Sequence, residues 1–386
     1  MSKPYRRGNG LWAQAIELPP TLDPETGKPK RRRKVISHKD KGTVIRRARQ
    51  MLLQLEEHGD LPTDNMTVNQ WFDYWVREYA AKTRRPKTLA SYQSIIRKQI
   101  LPTIGHVRLD KLTPTTIRKV TTAMDDAGAS STYQRNAHSI MAAAFKDAER
   151  EGRIRRNPVE LVQAPVKAVP KLEALTLEEA IALLEVFSQS PEGALWATFI
   201  LTGARRGEVI GLEWDRVGDV LDLSWQLQRI TSGAPIPPGF EYRHLTNGLY
   251  LTRPKTRAGW RVVPLVDPLK SILERYRATS TNPYGLLFTR PDGTPFDPDH
   301  ITKTWPLILE AAGINKKIRL HDARHTTVDL LYAAGVDEND LTAIIGHSSR
   351  VMSRAYKSKA SVDRLRTAML QLSASLGHVG GESLER

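Results

Sequence analysis

The sequence predicts an α+β chain, mainly helical, in three parts: a small sheet-plus-helix segment over 1–64, an all-α segment over 65–165 and a mixed α/β segment over 166–386. Three observations predict it. Near the N-terminus, two extended stretches flank the turn-rich "DPETGKPK" and lead into a helical repeat. A series of capped helical patterns follows. Then "VQAPVKAVPKLEAL", with Pro165 and Pro170 and little hydrophobic pattern, reads as a linker to a region of helices and strand-like runs.

In the first part, "GLWAQAIELPP" reads as a strand ending in a turn, and "RRRKVISH" as its return strand. "TVIRRARQMLLQLEEHG" places Val44, Ala48, Met51 and Leu55 at helical spacing, with Gly59 as the stop. The basic run supplies Arg31, Arg32, Arg33 and Lys34. On a strand such a run suits a DNA groove; its composition equally suits a charged loop.

The second part opens with Thr67 and Gln70 spaced as a capping box, and Trp71, Trp75 and Tyr79 fall on one helical face. That stripe reads as core rather than as a base-stacking surface. Thr113, Pro114 and Gly128 mark the ends of another helix, and "STYQRNAHSIMAAAFKDAEREG" forms a further one. Basic residues gather at helix ends and loops: Arg84, Arg85 and Lys87 in one junction, and Arg153, Arg155 and Arg156 in "RIRRNP". Phosphates could be contacted there.

The third part begins with a second capping box, Thr176 and Glu179. "LTGARRGEVIGLEW" enters a helix through a Gly-containing break, and "YLTRPKTRAGWRVVPL" looks like a hairpin with Lys255 close to its turn. The loop 231–248 interrupts the strands. "RLHDARHTTVDLLYAAG" starts a helix with His321 and Arg324 on one face. "SVDRLRTAMLQLSASLG" carries Val362, Leu365, Met369, Leu372 and Leu376 on one seam.

Composition narrows the function. The chain has 386 residues, a formal charge of +16 and no cysteine, which excludes disulfides and thiol chemistry. Residues 1–64 carry 14 basic and 8 acidic side chains, residues 65–165 carry 17 and 9, and residues 166–386 carry 27 and 25. The excess therefore sits in the first two parts, and a polyanion, nucleic acid above all, is the natural partner. No run approaches the ~18 to 20 apolar residues of a membrane span, and "MSKPYRRGNGLW" lacks the apolar core of a secretory signal. No membrane association is expected. Repeated DxD, HExxH and Gly-rich phosphate-loop spacings are missing, so neither a metal nor a nucleotide cofactor is expected.

What remains is a set of cations with one hydroxyl: Arg205 with Glu208, Lys255, His321 with Arg324, and His347 followed nine residues later by Tyr356. Singly, each is a common surface or packing feature. Together they resemble the tyrosine recombinases, particularly phage-type integrases. That pattern runs from a "TGxRxxE" box through a lysine, an HxxR box and a "GH(S/T)" box to a tyrosine. "TGARRGE", "PKT", "HDAR" and "GHSSRVMSRAY" fit it in order over about 155 residues. The chain departs from it at Tyr356-Lys357-Ser358, where many relatives have Tyr-x-His, and in the long 231–248 loop.

The resemblance implies roles. Arg205 and Arg324 would clamp the scissile phosphate, His347 would donate to it, Tyr356 would attack, and His321 would act as acid or base. Lys255 would protonate the leaving oxygen, and Glu208 would hold an arginine or histidine in place. It also implies that 65–165 is the core-binding domain, 1–64 an arm-type DNA-binding domain and 166–386 the catalytic domain. The expected partners are double-stranded DNA at core and arm-type sites, a homotetramer on DNA, and possible host DNA-bending and excision factors, in a bacterial cytoplasm. The C-terminal seam is expected to dock on a neighbouring protomer rather than in cis. A conjugative-transposon or resolution recombinase, a type IB topoisomerase and a catalytically inactive DNA-binding regulator are the competing readings.

Overall fold

The computed structural model describes residues 2–22, 29–58, 66–168, 173–254, 259–279, 282–346 and 359–379. The chain divides into two compact units, Met1–Val169 and Pro170–Arg386. Three separate apolar cores lie within them.

In the first unit, β1 (Tyr5–Arg6), β2 (Trp12–Leu22) and β3 (Pro29–His38) form an antiparallel sheet. The β2–β3 register shifts between Leu18 and Thr21, around Pro19 and Pro20, which have no N–H to give to a ladder. The helix Lys41–His58 seats Val44 and Ala48 against Ile16, Leu18 and Ile36. The basic run lies on β3, so its charges alternate across the sheet, with Arg31 and Arg33 exposed and Arg32 and Lys34 partly covered.

The helices of residues 66–162 enclose the second core. Thr67 and Gln70 make the reciprocal capping bonds in front of helix Val68–Trp75. Trp71 and Trp75 are buried, and their indole N–H groups donate to the Ala144 carbonyl and to Asp147 at 3.1 and 2.8 Å. The aromatic stripe is therefore core, with its polar atoms satisfied.

The second unit packs helices around two small sheets. β4 (Val220–Asp222) pairs with β8 (Val262–Pro264), while β5 (Gln226–Arg229), β7 (Leu249–Thr252) and β6 (Tyr242–Thr246) form the other sheet in that order. This corrects the expected hairpin around Lys255. Its two arms do not pair with one another; β7 pairs with β5 and β6, and β8 with β4. The hairpin lies one step earlier, where β6 and β7 meet at Asn247-Gly248, both at positive φ. Such a dipeptide is the preferred two-residue hairpin turn. The loop 231–248 thus contains a strand in its second half.

The C-terminal helix, Lys359–Val379, buries Leu365, Met369, Leu372 and Leu376 in the core of its own unit. Arg364 Nε pairs with Asp340 at 2.6 Å beside that seam. In this single chain the seam expected to dock on a neighbouring protomer packs in cis, since burial does not depend on which protomer supplies the surface.

Candidate active site

The "TGARRGE" stretch breaks a helix just before Arg205. Helix Gly193–Thr202 ends at Gly203, which adopts φ +58°. A Cβ there would lie 2.7 Å from Ile345 Cδ1 and 3.1 Å from Thr327 Cβ, so glycine serves both the left-handed turn and the close packing. Arg205 then extends (φ −73°, ψ 150°) before the short helix Arg206–Val209.

Glu208 is 1% exposed. Its Oε2 accepts the Arg205 backbone N–H at 2.8 Å, and its Oε1 accepts Arg205 Nη1 at 2.7 Å. Arg261 Nη2 also donates to Oε2, at 2.8 Å. Burial opposes ionisation of Glu208, but Arg261 first and then Arg205 outweigh it and hold the carboxyl below its usual range.

A second helix end completes the arrangement. Helix Glu338–Ile345 starts at the Asp337 cap and stops at Gly346 in the left-handed conformation. The carbonyls of Ile344, Ile345 and Gly346 accept, in that order, from Arg261 Nε at 2.7 Å, from Arg324 Nη2, and from Arg205 Nη2 at 3.2 Å. Cations suit the C-terminal end of a helix, where carbonyls lack partners and the dipole is negative. Arg324 Nη1 donates to the Gly203 carbonyl at 2.7 Å, tying the two breaks together.

The charges do not balance. Among the described residues, Glu208 is the one carboxylate hydrogen-bonded to any of Arg205, Arg261 and Arg324. Burial first, and then Arg261 and Arg205, push the Arg324 guanidinium down to about 9. An anion placed against this group would relieve that strain in charge. His321 sits in the turn before helix Ala323–Ala333 rather than on the helix itself. Desolvation, followed by the Arg324 charge, lowers its pKa from the ordinary histidine value, which favours the neutral, proton-accepting ring.

The structure therefore brings Arg205, Glu208 and Arg324 together, with His321 near enough to feel their charge. Lys255, His347 and Tyr356 lie outside the described residues. Arg206 is directed away, to Thr302 and Asp299. Sequence reasoning missed Arg261, which stands in no motif; a lone arginine in the apolar run "WRVVPL" was the available signal.

In the first unit, Lys34, Arg153, Arg155 and Arg156 line one cleft of about 510 Å³ together with Arg47, Arg108 and Lys111, which the sequence did not single out. Arg153 is held there by Glu151 at 2.7 Å and lies over the Trp71 and Tyr74 rings. Arg155 and Arg156 are exposed. Arg84, Arg85 and Lys87 are not among the residues lining this cleft; Arg84 and Arg85 stand just before Pro86 and Lys87 in the first turn of helix Pro86–Ile95, with Arg84 over the Tyr92 ring. Among the described residues no cluster of His, Asp and Glu could hold a metal, and no helix is long and apolar enough to cross a membrane.

Comparison with known proteins gives the family. Residues 67–124 match the phage integrase N-terminal SAM-like domain, and residues 173–361 match the phage integrase family. The chain is 28% identical over 406 residues to an integrase of Saccharopolyspora erythraea, covering 91% of each. It is 26% identical to the integrase of Mycobacterium phage L5 across 77% of this chain and 79% of that one. Among solved structures, it resembles the Tn1549 transposon integrase in complex with circular intermediate DNA, with a TM-score of 0.62, 20% identity and coverage of 79% and 99%. It also resembles a lambda integrase tetramer bound to a Holliday junction, with a TM-score of 0.56, 18% identity and coverage of 90% and 96%. The chain belongs to the phage integrase family. Its activity is site-specific recombination of double-stranded DNA, in the tyrosine recombinase class.

Proposed function

We propose that the chain integrates, and in the reverse direction excises, a phage or related mobile element through a 3′-phosphotyrosine intermediate. The observation that carries this reading is the cluster of Arg205, Arg261 and Arg324, in which Glu208 is the one carboxylate hydrogen-bonded to any of the three among the described residues. It is a preorganised cationic site with room in its charge balance for a phosphodiester.

The Tyr356 phenol oxygen attacks phosphorus while the bond to the 5′ oxygen breaks. The phenol, with an ordinary pKa of about 10, loses its proton to neutral His321. Lys255 protonates the departing 5′ oxygen, which leaves as a hydroxyl. Arg205 and Arg324 stabilise the nonbridging oxygens as charge builds on them, and planar guanidinium forks suit that task. His347 adds a further donor. A 5′ hydroxyl from another duplex then attacks the phosphotyrosine, restoring a phosphodiester and the free phenol. The covalent link retains the bond energy, so no nucleotide cofactor is required.

The first two segments, 1–64 and 65–165, act as arm-type and core-binding domains, and the excess of basic residues supports backbone contacts there. A homotetramer on paired sites, host DNA-bending and excision factors, and a bacterial cytoplasmic setting complete the reading. The test is to express the protein in its host, stop the cells in hot detergent with chelator present, and sequence DNA that remains attached to the protein. Adducts at one or two loci that vanish in Tyr356→Phe support it. Adducts without site preference would instead indicate a topoisomerase, and equal adducts in Tyr356→Phe would remove the assigned nucleophile.

A further inference from the structure

We propose that Arg261 is a positioning residue that sets Arg205 against the scissile phosphate by fixing both the carboxylate and the helix end that Arg205 uses. The inference rests on the reading of Arg205 as a phosphate-binding group.

Arg261 is 6% exposed and stands just before β8, outside every motif of the catalytic pattern. Its backbone carbonyl accepts the Leu223 N–H at 3.0 Å, so the main chain is pinned independently of the side chain. The guanidinium then spans two elements. Nη2 meets Glu208 Oε2 at 2.8 Å, and Nε meets the Ile344 carbonyl at 2.7 Å. Its Nη1 is buried with no hydrogen-bond partner among the described residues.

Stability alone is a poor account of this residue. Burying a cation is costly, and well-packed apolar side chains often replace buried ion pairs without loss. The wiring suggests another use. With Oε2 occupied by Arg261 Nη2 and the Arg205 backbone N–H, Oε1 is left to face Arg205 Nη1. The Ile344 carbonyl bound by Arg261 is followed directly by those bound by Arg324 and Arg205. One rigid fork thus orients both acceptors of Arg205. A lysine offers a point charge without the two fixed directions.

The experiment compares two duplexes carrying the crossover sequence recovered from the covalent adducts. One has an ordinary scissile phosphodiester, and the other a methylphosphonate, which lacks the anionic nonbridging oxygen. In both, the phenol oxygen bonds phosphorus, the bond to the 5′ oxygen breaks, and the proton balance is the same. Single-turnover strand cleavage is measured at saturating protein for wild type, Arg205→Ala, Arg261→Gln and Arg261→Lys.

On the phosphodiester, Arg261→Gln should cleave about 10- to 100-fold more slowly, the scale of a small misplacement, with DNA affinity within about threefold of wild type. Arg261→Lys should fall between the two, because one ammonium cannot reach both partners. On the methylphosphonate the deficits of Arg205→Ala and of both Arg261 variants should shrink together, since the charge being stabilised is gone. The comparison is made within one protein sample, so a partly unfolded variant does not distort it. Arg261 deficits that persist on the methylphosphonate while that of Arg205→Ala is relieved would reduce Arg261 to scaffold. No Arg261 deficit on the phosphodiester would overturn the inference outright. An Arg205→Ala deficit that is not relieved would overturn the reading of Arg205, and this inference with it.

Discussion

Oε1 of Glu208 accepts Nη1 of Arg205 at 2.7 Å, and the carboxylate is buried while the guanidinium reaches solvent. This one-sided burial makes Glu208 the anchor and leaves the Arg205 guanidinium partly accessible. Glu208→Gln would leave Arg205 and Arg261 without their anion. Removing one partner of a buried pair costs about 3–5 kcal/mol, so thermal unfolding of the isolated protein should fall well below wild type. A melting curve within error of wild type would contradict the buried network.

The same carboxyl gives a signed pH dependence. Its folded pKa lies below the unfolded value, so its contribution to stability is present above about pH 4.3 and is lost as pH falls through the lower, folded value. Denaturant titrations of wild type and Glu208→Gln should converge in acid. Curves that stay parallel to the lowest accessible pH would show that Glu208 is not the group involved.

His321 sets a second pH limit. Its pKa is depressed by burial and by Arg324, so the neutral ring should persist below the usual histidine value of about 6.5. With His321 proposed as the proton acceptor, the acid limb of single-turnover cleavage should have its midpoint below that pH. Arg324→Gln removes one cause of the depression and should move the acid limb upward. An unmoved limb would assign it to another group.

Gly211 should tolerate no side chain. A Cβ there would meet the Leu227 backbone N at 2.5 Å and the Gly207 carbonyl oxygen at 2.8 Å; the first cannot move without shifting β5, nor the second without shifting helix Arg206–Val209. Overpacking of this kind costs about 1–3 kcal/mol. Gly211→Ala should lower stability by that amount, whereas Gly218→Ala, where no atom lies within 4 Å, should be close to neutral by the same urea titration.

Arg155 and Arg156 are exposed at the rim of the basic cleft. If each meets a phosphate, Arg155→Ala and Arg156→Ala should each flatten the plot of log affinity against log salt by about 0.9. The loss should be similar for specific and unrelated duplexes. Unchanged slopes would place the DNA elsewhere on this unit.

The sequence by itself determined the parts of this protein that are local. Thr67 with Gln70 and Thr176 with Glu179 cap their helices as their spacing requires. Gly203 and Gly346 stop helices where the motifs place them, and the ordered boxes from Arg205 to Tyr356 fall within the stretch that matches the phage integrase family. Only the tertiary structure decided which surfaces and ladders these parts meet. β7 and β8 looked like one hairpin because strand periodicity shows which residues alternate, not which edge will supply hydrogen bonds. The C-terminal seam advertised an apolar face without naming the surface that covers it. Arg261 was invisible for the same reason: a buried charge is defined by partners 53 and 83 residues away, and such long-range pairing leaves no periodic trace in the chain.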